Sequence, residues 1–197
     1  MCNTGDNEVK KKYYTWQDVE HAADSIVAQL AKDEWCPEII VGINRGGLPL
    51  AVLLSHKLDT RMYTLDIQLR NGKDNDCESN LWLAEWAFGY NYPEESGITG
   101  SRWDPKLRKK ILIVDDINDT GATFEWLVKD WQSSCLPDEQ YAWDAVWDNS
   151  TRFAVMTENH SSNFYKVRYN WDEVNKAEDD NAWPVWPWEK DNKKGME

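Results

Sequence analysis

The stretch that decides the fold runs from residue 111 to residue 123 and reads Ile-Leu-Ile-Val-Asp-Asp-Ile-Asn-Asp-Thr-Gly-Ala-Thr. Its four apolar residues, followed by Asp115 and Asp116, predict a buried strand that ends in two carboxylates. The turn at residues 119–123 then opens a helix. In an open α/β sheet, ligands bind beyond the carboxyl ends of the strands. The stretch therefore predicts a ligand site lined by carboxylates at the end of a parallel strand.

The same turn has the features of a phosphate site. It supplies backbone N–H groups, the hydroxyls of Thr120 and Thr123, and a helix N-terminus, which together bind a phosphate without a net positive charge. Two adjacent aspartates after a strand are, on their own, more often only a polar loop with an N-cap. The complete pattern over residues 111–123 is much more specific than the acid pair.

A second glycine-rich turn follows an earlier apolar run. Residues 39–47 read Ile-Ile-Val-Gly-Ile-Asn-Arg-Gly-Gly, which predicts a strand that runs into a turn and then a helix. The N–H groups of such a turn also face an anion. On its own, Gly46-Gly47 after a strand more often marks only a tight turn.

Hydrophobic spacing predicts the other elements. A helix begins after Thr15, where Thr15 and Asp18 form a variant capping box, and it ends before Pro37. The remaining predictions are strands at residues 38–43, 61–69, 109–115 and 152–157, helices at 48–58 and 122–131, an irregular segment at 133–150, and short strands and turns at 164–189. Strands that alternate with helices predict an α/β fold, with a mostly parallel sheet covered on both faces.

Residues 70–108 contain no clear core element. A segment of this length in a compact domain is usually a functional loop or lid. Within it, Trp82, Leu83, Trp86 and Phe88 follow one another at near-helical spacing and form an apolar face. Such a face either packs on the body or on a second subunit, or it belongs to a moving lid. We interpret it as a helix docked on the body between mobile segments at residues 71–80 and 92–103.

Composition limits the partners. The chain has 197 residues, which favours one domain, and its 22 basic against 35 acidic residues give a formal charge of −13. This charge argues against duplex nucleic acid and anionic membranes as partners. Four cysteines without a C-x-x-C pair indicate reduced thiols, and residues 1–12 have no apolar leader. We therefore expect a cytoplasmic protein.

The pattern at residues 111–123 resembles the phosphoribosyl-pyrophosphate (PRPP) motif of type I phosphoribosyltransferases. The Arg-Gly-Gly turn at residues 45–47 matches the pyrophosphate loop of the same enzymes. The branch that the chain resembles, over residues 15–189, is the bacterial and phage xanthine-guanine-hypoxanthine (6-oxopurine) phosphoribosyltransferases. Two details support the resemblance to this branch. Asp119 opens the phosphate turn, and the residues at 182–189, Ala-Trp-Pro-Val-Trp-Pro-Trp-Glu, resemble the end of the family's hood subdomain.

The resemblance implies a Rossmann-like type I phosphoribosyltransferase fold with a long flexible loop. The division that we expect is a disordered lead-in at residues 1–14, a core at 15–158 with the loop at about 70–108, a hood at 159–189 and a tail at 190–197.

The resemblance also implies that the two turns together bind PRPP with Mg²⁺. The acid pair, Asp115 and Asp116, is expected to hold the ribose hydroxyls, with Asp116 nearer the metal. The residues implied for the 5′-phosphate are Thr120, Gly121, Ala122 and Thr123, and those implied for the pyrophosphate are Arg45, Gly46 and Gly47. A non-proline cis peptide bond between Asn44 and Arg45 is implied as well.

For the base, the resemblance implies Asp119 as the group that takes a proton from purine N7 and Trp183 as the ring that stacks on the base. A tryptophan that only packs beneath a loop is the alternative for Trp183. The chain departs from the family in one place: the lysine that usually donates to the exocyclic oxygen at C6 is replaced by Glu158 or Asn159. An asparagine amide donates more weakly than an ammonium group, so Asn159 is the base-binding candidate and the base stays open.

The implied function is transfer of ribose-5-phosphate from PRPP to xanthine, guanine or hypoxanthine with release of pyrophosphate, in nucleotide salvage, by a homodimer or homotetramer. The missing lysine supports an alternative, a phosphoribosyltransferase for another base. A non-catalytic PRPP-binding regulator is a second alternative. Such regulators usually carry a nucleic-acid-binding surface, and the sequence contains neither an added helix-turn-helix segment nor a basic patch.

Overall fold

The structure, a computed structural model, describes residues 10–69, 77–78, 80–90, 104–134, 140–177 and 182–189. In chain order its elements are β1 (Lys11–Tyr13), α1 (Trp16–Lys32), β2 (Ile39–Asn44), α2 (Leu48–Leu58), β3 (Arg61–Asp66), α3 (Leu81–Phe88), a 3₁₀ helix (Pro105–Leu107), β4 (Ile111–Asn118), α4 (Ala122–Ser134), α5 (Gln140–Asp144), β5 (Thr151–Asn159), β6 (Val167–Val174) and β7 (Trp183–Val185). None of the helices in these ranges is long and apolar enough to cross a membrane.

The main sheet has five strands in the order β3-β2-β4-β5-β6, and every neighbouring pair is parallel. The chain builds outward from β2 to β3 and then returns to the other side of β2 with β4. The strand order therefore reverses between β2 and β4. In sheets of this kind, the crevice at such a reversal is where ligands bind.

Both faces of the sheet are buried, as the alternating pattern of strands and helices predicts. On one face, Leu112 and Val114 pack with α1 and α2. On the other face, Ile111 and Ile113 pack with α3 and α4. Because each central strand is covered on both sides, its sequence is continuously apolar rather than alternating. The expected α/β fold with a parallel sheet flanked by helices is confirmed.

The helix expected within residues 70–108 is present as α3. Leu83, Ala84, Ala87 and Phe88 are fully buried against the body of the protein, and Trp82 and Trp86 pack against the same core. The docked helix is thus confirmed. The flanking segments interpreted as mobile fall, apart from residues 77, 78 and 80, outside the described residues.

The predicted lead-in at residues 1–14 is wrong for residues 10–14. Residues Lys11–Tyr13 form β1, which pairs in parallel with β7 in a second, two-stranded sheet. Tyr14 follows in a buried position and stacks on Trp186 at 4.7 Å between ring centroids. The backbone pairing and this one aromatic anchor hold a segment whose other side chains are polar, which is why its composition suggested disorder. Residues 1–9 and the tail at 190–197 lie outside the described residues.

The segment expected to form the hood, residues 159–189, contributes to both sheets. Strand β6, at residues Val167–Val174, joins the main sheet beside β5, whereas β7 pairs with β1 in the second sheet. The segment 133–150, expected to be irregular, contains the short helix α5.

The Tyr14 hydroxyl connects the two-stranded sheet to the main sheet by hydrogen bonds. It lies 3.2 Å from Thr157 Oγ1 and hydrogen-bonds the carboxylate of Asp172, which also pairs with Lys12. Burial, followed by the bond to Asp172, raises the pKa of Tyr14. The hydroxyl is therefore neutral and donates at any physiological pH.

Tyr14→Phe is expected to lower the free energy of unfolding by about 1–2 kcal/mol, because the buried hydrogen bonds are lost while the ring keeps its packing. Urea unfolding followed by circular dichroism measures the change. The matched control is Tyr165→Phe, since Tyr165 is 87% exposed and should shift stability by less than about 0.5 kcal/mol. Equal effects of the two substitutions would contradict the role of the Tyr14 hydroxyl.

Candidate functional site

The two predicted turns meet at the reversal of strand order. A Cβ added to Gly46 would lie 2.1 Å from Asp116 Oδ2, and one added to Gly47 would lie 2.3 Å from the Val114 carbonyl oxygen. The turn at residues 45–47 is thus packed directly on the end of β4, and only glycine permits this approach. The peptide bond between Asn44 and Arg45 is cis, as expected. Arg45 itself is exposed at the rim of the crevice.

The acid pair lies where the sequence predicted it. Asp115 and Asp116 are each 9% exposed, near the carboxyl end of β4, and the Asp116 N–H donates to Asp115 Oδ1 at 2.9 Å. Because the glycine turn covers Asp116 so closely, this carboxylate and the turn border the same crevice. The Gly47 N–H donates to the Ile43 carbonyl at 3.0 Å, so this donor is used within the turn.

The phosphate turn is held in shape from behind. Gly121 adopts a positive φ of 91°, and a Cβ at this position would lie 2.6 Å from the Phe164 backbone nitrogen. The Asn163 N–H donates to the Thr120 carbonyl at 3.1 Å, so residues 162–164 brace the turn. The Glu125 N–H donates to the Gly121 carbonyl at 2.9 Å and starts α4. The predicted turn and helix N-terminus are both present.

Asn118, which the sequence reasoning missed, links the ends of β4 and β5. Its buried side chain donates from Nδ2 to Glu158 Oε1 at 2.9 Å and to the Phe164 carbonyl at 2.8 Å. Its Oδ1 accepts from Ser162 Oγ at 3.0 Å. These bonds fix the point at which the phosphate turn leaves the sheet. No signal in the sequence pointed to it, because the predicted strand ends at residue 115, whereas β4 continues to Asn118.

Asn159 is hydrogen-bonded within the protein. It is 2% exposed, and its Nδ2 donates to the Asp119 carbonyl at 2.8 Å and to Asp119 Oδ1 at 3.3 Å. Its Oδ1 accepts from the N–H groups of Ser161 at 3.2 Å and Lys176 at 3.1 Å. These bonds hold Asp119 and the turn after β6 together. The expected contact of Asn159 with a base stays a prediction, and it requires one of the bonds from Nδ2 to be exchanged.

Lys176 is the second residue that the sequence reasoning missed. Its Nζ lies 2.7 Å from Asp119 Oδ1 and 4.4 Å from the centroid of the Trp183 ring. The structure therefore brings the two residues expected to meet a base, Asp119 and Trp183, together around one ammonium group. Trp183 keeps 45% of its surface exposed, so it does not simply pack beneath a loop. Lys176 lies in a polar segment without a motif, and nothing in its local sequence marks it.

Glu158 lies at the edge of this site, and its carboxyl has a raised pKa. Its burial raises the pKa of the carboxyl to about 7, although the hydrogen bond from Asn118 opposes the shift. Oε2 is buried and has no hydrogen-bond partner among the described residues. Below neutral pH the folded protein therefore holds a proton here that an unfolded chain, with the ordinary pKa of 4.5, releases.

Glu158→Gln is expected to stabilise the protein at pH 8 by about 1–2 kcal/mol, after allowance for the solvent contact of the carboxyl. Between pH 4.5 and about 7 the unfolded chain binds fewer protons at residue 158 than the folded protein does, so wild-type stability falls as pH rises through this window. Glutamine cannot ionise and escapes the loss. Urea unfolding at pH 5 and pH 8 tests this, and the gain should shrink at pH 5.

Glu20→Gln is the matched control. Glu20 is exposed on α1, so removing its charge should bring no gain at pH 8. An equal gain from both substitutions would point to the net charge of −13 as the cause instead of the burial of Glu158.

Comparison with known proteins agrees with this geometry. The family model described as phosphoribosyl transferase domain matches residues 10–131. No curated protein sequence matches the chain.

Three solved structures illustrate the similarity. A purine phosphoribosyltransferase from Pyrococcus horikoshii has a TM-score of 0.60 at 21% identity, over 92% of this chain and 96% of that one. The Helicobacter pylori xanthine-guanine-hypoxanthine phosphoribosyltransferase has a TM-score of 0.59 at 20% identity, over 93% and 95%. A hypoxanthine-guanine phosphoribosyltransferase from Bacillus anthracis has a TM-score of 0.52 at 13% identity, over 86% and 85%. At these identities, the similarity establishes a shared fold.

Proposed function

The chain belongs to the phosphoribosyl transferase domain family, and we propose that it transfers ribose-5-phosphate from PRPP to a 6-oxopurine, namely xanthine, guanine or hypoxanthine, with release of pyrophosphate. The observation that carries the proposal is the contact between the Arg-Gly-Gly turn and the acid pair, where only 2.1 Å separates a Gly46 Cβ position from Asp116 Oδ2. The purine specificity of the Pyrococcus horikoshii and Helicobacter pylori enzymes, which share the fold, supports the choice of base.

The PRPP half of the site divides into three parts. The N-terminus of α4 and the turn before it, Thr120, Gly121, Ala122 and Thr123, hold the 5′-phosphate through N–H groups and hydroxyls. Asp115 and Asp116 accept hydrogen bonds from the ribose hydroxyls. The exposed Arg45, with the N–H group of Gly46, receives the pyrophosphate. Gly47 lines the same turn, and its own N–H donates to the Ile43 carbonyl at 3.0 Å. This arrangement binds a polyanion with little side-chain cation, which suits a chain of formal charge −13.

The donor set also fits Mg²⁺. Among the described residues, no group of three or more His, Cys, Asp or Glu side chains is arranged to coordinate a metal ion. Magnesium does not need such a group, since it is commonly held by one or two carboxylates with phosphate oxygens and water completing its shell. We assign Asp116, at the crevice, as the carboxylate that holds it. When bound, the ion neutralises negative charge that develops on the departing pyrophosphate.

The base half centres on Asp119. Transfer of the ribose breaks the bond to pyrophosphate and makes positive charge on the ribose ring, which carboxylates near the ribose stabilise. The attacking purine nitrogen loses electron density to the new bond, and its ring then gives up the proton on N7. Asp119 accepts this proton as general base. Trp183 stacks on the purine ring and holds it in the plane of attack.

The test is to incubate the protein with PRPP, Mg²⁺ and each of xanthine, guanine, hypoxanthine, adenine, uracil and orotate, and to follow pyrophosphate release. Turnover with one or more of the three 6-oxopurines and not with adenine, uracil or orotate is the expected result. Turnover with one of the other three bases alone would establish the alternative that the missing family lysine suggested. PRPP binding without turnover on any base would identify a non-catalytic PRPP-binding regulator instead.

The setting that we propose is nucleotide salvage in the cytoplasm by a homodimer or homotetramer. Sedimentation velocity of the purified protein, with and without PRPP, measures the assembly directly. A single species at the mass of one chain, 23.0 kDa, would contradict it.

A further inference from the structure

Lys176 stands in the base half of the site without a role in the scheme above. It follows β6 in the turn at residues 175–177, which places it at the same end of the main sheet as the acid pair and the phosphate turn. Its ammonium lies between the Asp119 carboxylate, at 2.7 Å, and the face of the Trp183 ring, at 4.4 Å. Only 14% of its side-chain surface is exposed.

The ion pair is open to solvent on its acidic side. The Asp119 side chain remains 32% exposed although that of Lys176 is only 14% exposed, so a ligand can reach the carboxylate. The backbone on both sides of the ion pair is held in place by the buried side-chain amide of Asn159. This amide accepts from the Lys176 backbone N–H at 3.1 Å and donates to the Asp119 backbone carbonyl at 2.8 Å. A rigid frame around a partly open pair of opposite charges is typical of a binding site rather than of a surface salt bridge.

The pair presents a defined hydrogen-bonding pattern to a planar ring. Asp119 offers acceptors and Lys176 offers donors, side by side, next to an aromatic face that is half exposed. The complementary ring edge has an N–H beside a carbonyl oxygen. A 6-oxopurine with a proton on N7 has such an edge, because the oxygen on C6 lies next to the N7–H. A 6-aminopurine does not, because its amino group directs an N–H toward the ammonium and offers no acceptor in the ring plane.

We infer that Lys176 is the specificity-determining cation of the base site: it donates to the exocyclic oxygen of a 6-oxopurine while Asp119 accepts from the adjacent ring N–H. This rests on the proposed function. It assigns the discrimination between oxo and amino purines to the turn after β6, and it leaves Asn159 as a positioning residue. The last two positions of β5, Glu158 and Asn159, where the sequence departs from the family, therefore need no cation.

The inference is tested by nucleotide binding, which does not depend on turnover. Calorimetry measures the affinity of wild type and of Lys176→Met for inosine 5′-monophosphate, which carries the oxygen on C6, and for adenosine 5′-monophosphate, which carries an amino group there. Neither nucleotide has a proton on N7, so this comparison measures the contact of Lys176 with the group on C6 and not the contact of Asp119 with the ring N–H. The substitution is expected to weaken inosine monophosphate binding by about 10- to 100-fold, the value of a charged hydrogen bond. Adenosine monophosphate should change by less than about 3-fold, and ribose 5-phosphate should not change.

Two variants make the result specific. Lys57→Met removes a lysine that pairs with Asp24 at 2.6 Å between α1 and α2, away from the site, and should leave both affinities unchanged. Lys176→Arg keeps a cation and should restore part of the preference for inosine monophosphate. Thermal melting of all variants confirms that each is folded.

The outcomes separate the two proposals. If wild type releases pyrophosphate with a 6-oxopurine but Lys176→Met keeps the wild-type ratio of the two affinities, the role of Lys176 is overturned and the proposed function stands. The same holds if both affinities fall equally, because Lys176 then only supports the site. If wild type releases no pyrophosphate with any 6-oxopurine, the proposed function and the role of Lys176 fail together.

Discussion

Asp119→Asn is expected to lower turnover with PRPP and a 6-oxopurine by about 10²–10⁴-fold, the contribution of a well-placed general base. Asparagine has nearly the same shape as aspartate but cannot take up the proton from N7. The loop should keep its place, because Asn159 holds it through the Asp119 backbone carbonyl at 2.8 Å and not through the carboxylate alone. PRPP affinity, measured by calorimetry, should therefore stay within a few-fold of wild type.

The control for this prediction is Asp24→Asn. It breaks a lysine–aspartate pair of similar length, Lys57 to Asp24 at 2.6 Å, on the helices away from the site. Its turnover should match wild type. Unchanged turnover in Asp119→Asn would remove this residue from the reaction, and a parallel loss of PRPP affinity would show that the substitution disturbs the phosphate turn instead.

The central part of the fold could be predicted because its signals are local. The apolar run before Asp115, the glycine at position 121 and the cap at Thr15 each depend on a few neighbouring residues, and the structure confirms the strand, the turn and the capping box. The meeting of the two turns also follows from local signals, since parallel strands that neighbour each other end at the same edge of a sheet. The close contact of Gly46 with Asp116 is a consequence of that placement.

The rest depends on contacts between distant parts of the chain. Strand β1 exists because it pairs with β7, near the other end of the sequence, and nothing in its own polar residues predicts a strand. Lys176 reaches Asp119 only because β6 joins the main sheet beside β5 and delivers its following turn to the site. The sequence could show that the expected lysine was missing. It could not show which residue takes the place of that lysine, because this depends on strand order and not on spacing.

Gly46→Ala is expected to lower kcat/KM for PRPP by at least about 100-fold while the protein remains folded. The new Cβ would lie 2.1 Å from Oδ2 and 2.5 Å from Cγ of Asp116, far inside contact distance. The clash is with a side chain, so Asp116 can turn away and the backbone of β4 need not move. The carboxylate is then displaced from the crevice, and a displacement of about 1 Å in a reacting geometry costs on the order of 10²-fold. Steady-state kinetics and thermal melting measure the two effects separately.

A double-mutant cycle with Asp116→Ala identifies the cause. If Gly46→Ala acts by pushing the Asp116 carboxylate aside, removing that carboxylate also removes the clash, and the double variant should be no worse than Asp116→Ala alone. If the methyl group instead blocks the pyrophosphate or changes the shape of the glycine turn, the two losses should multiply. Multiplied losses would contradict the view that the close contact of Gly46 exists to hold the acid pair in the crevice, and they would assign the effect to the turn itself.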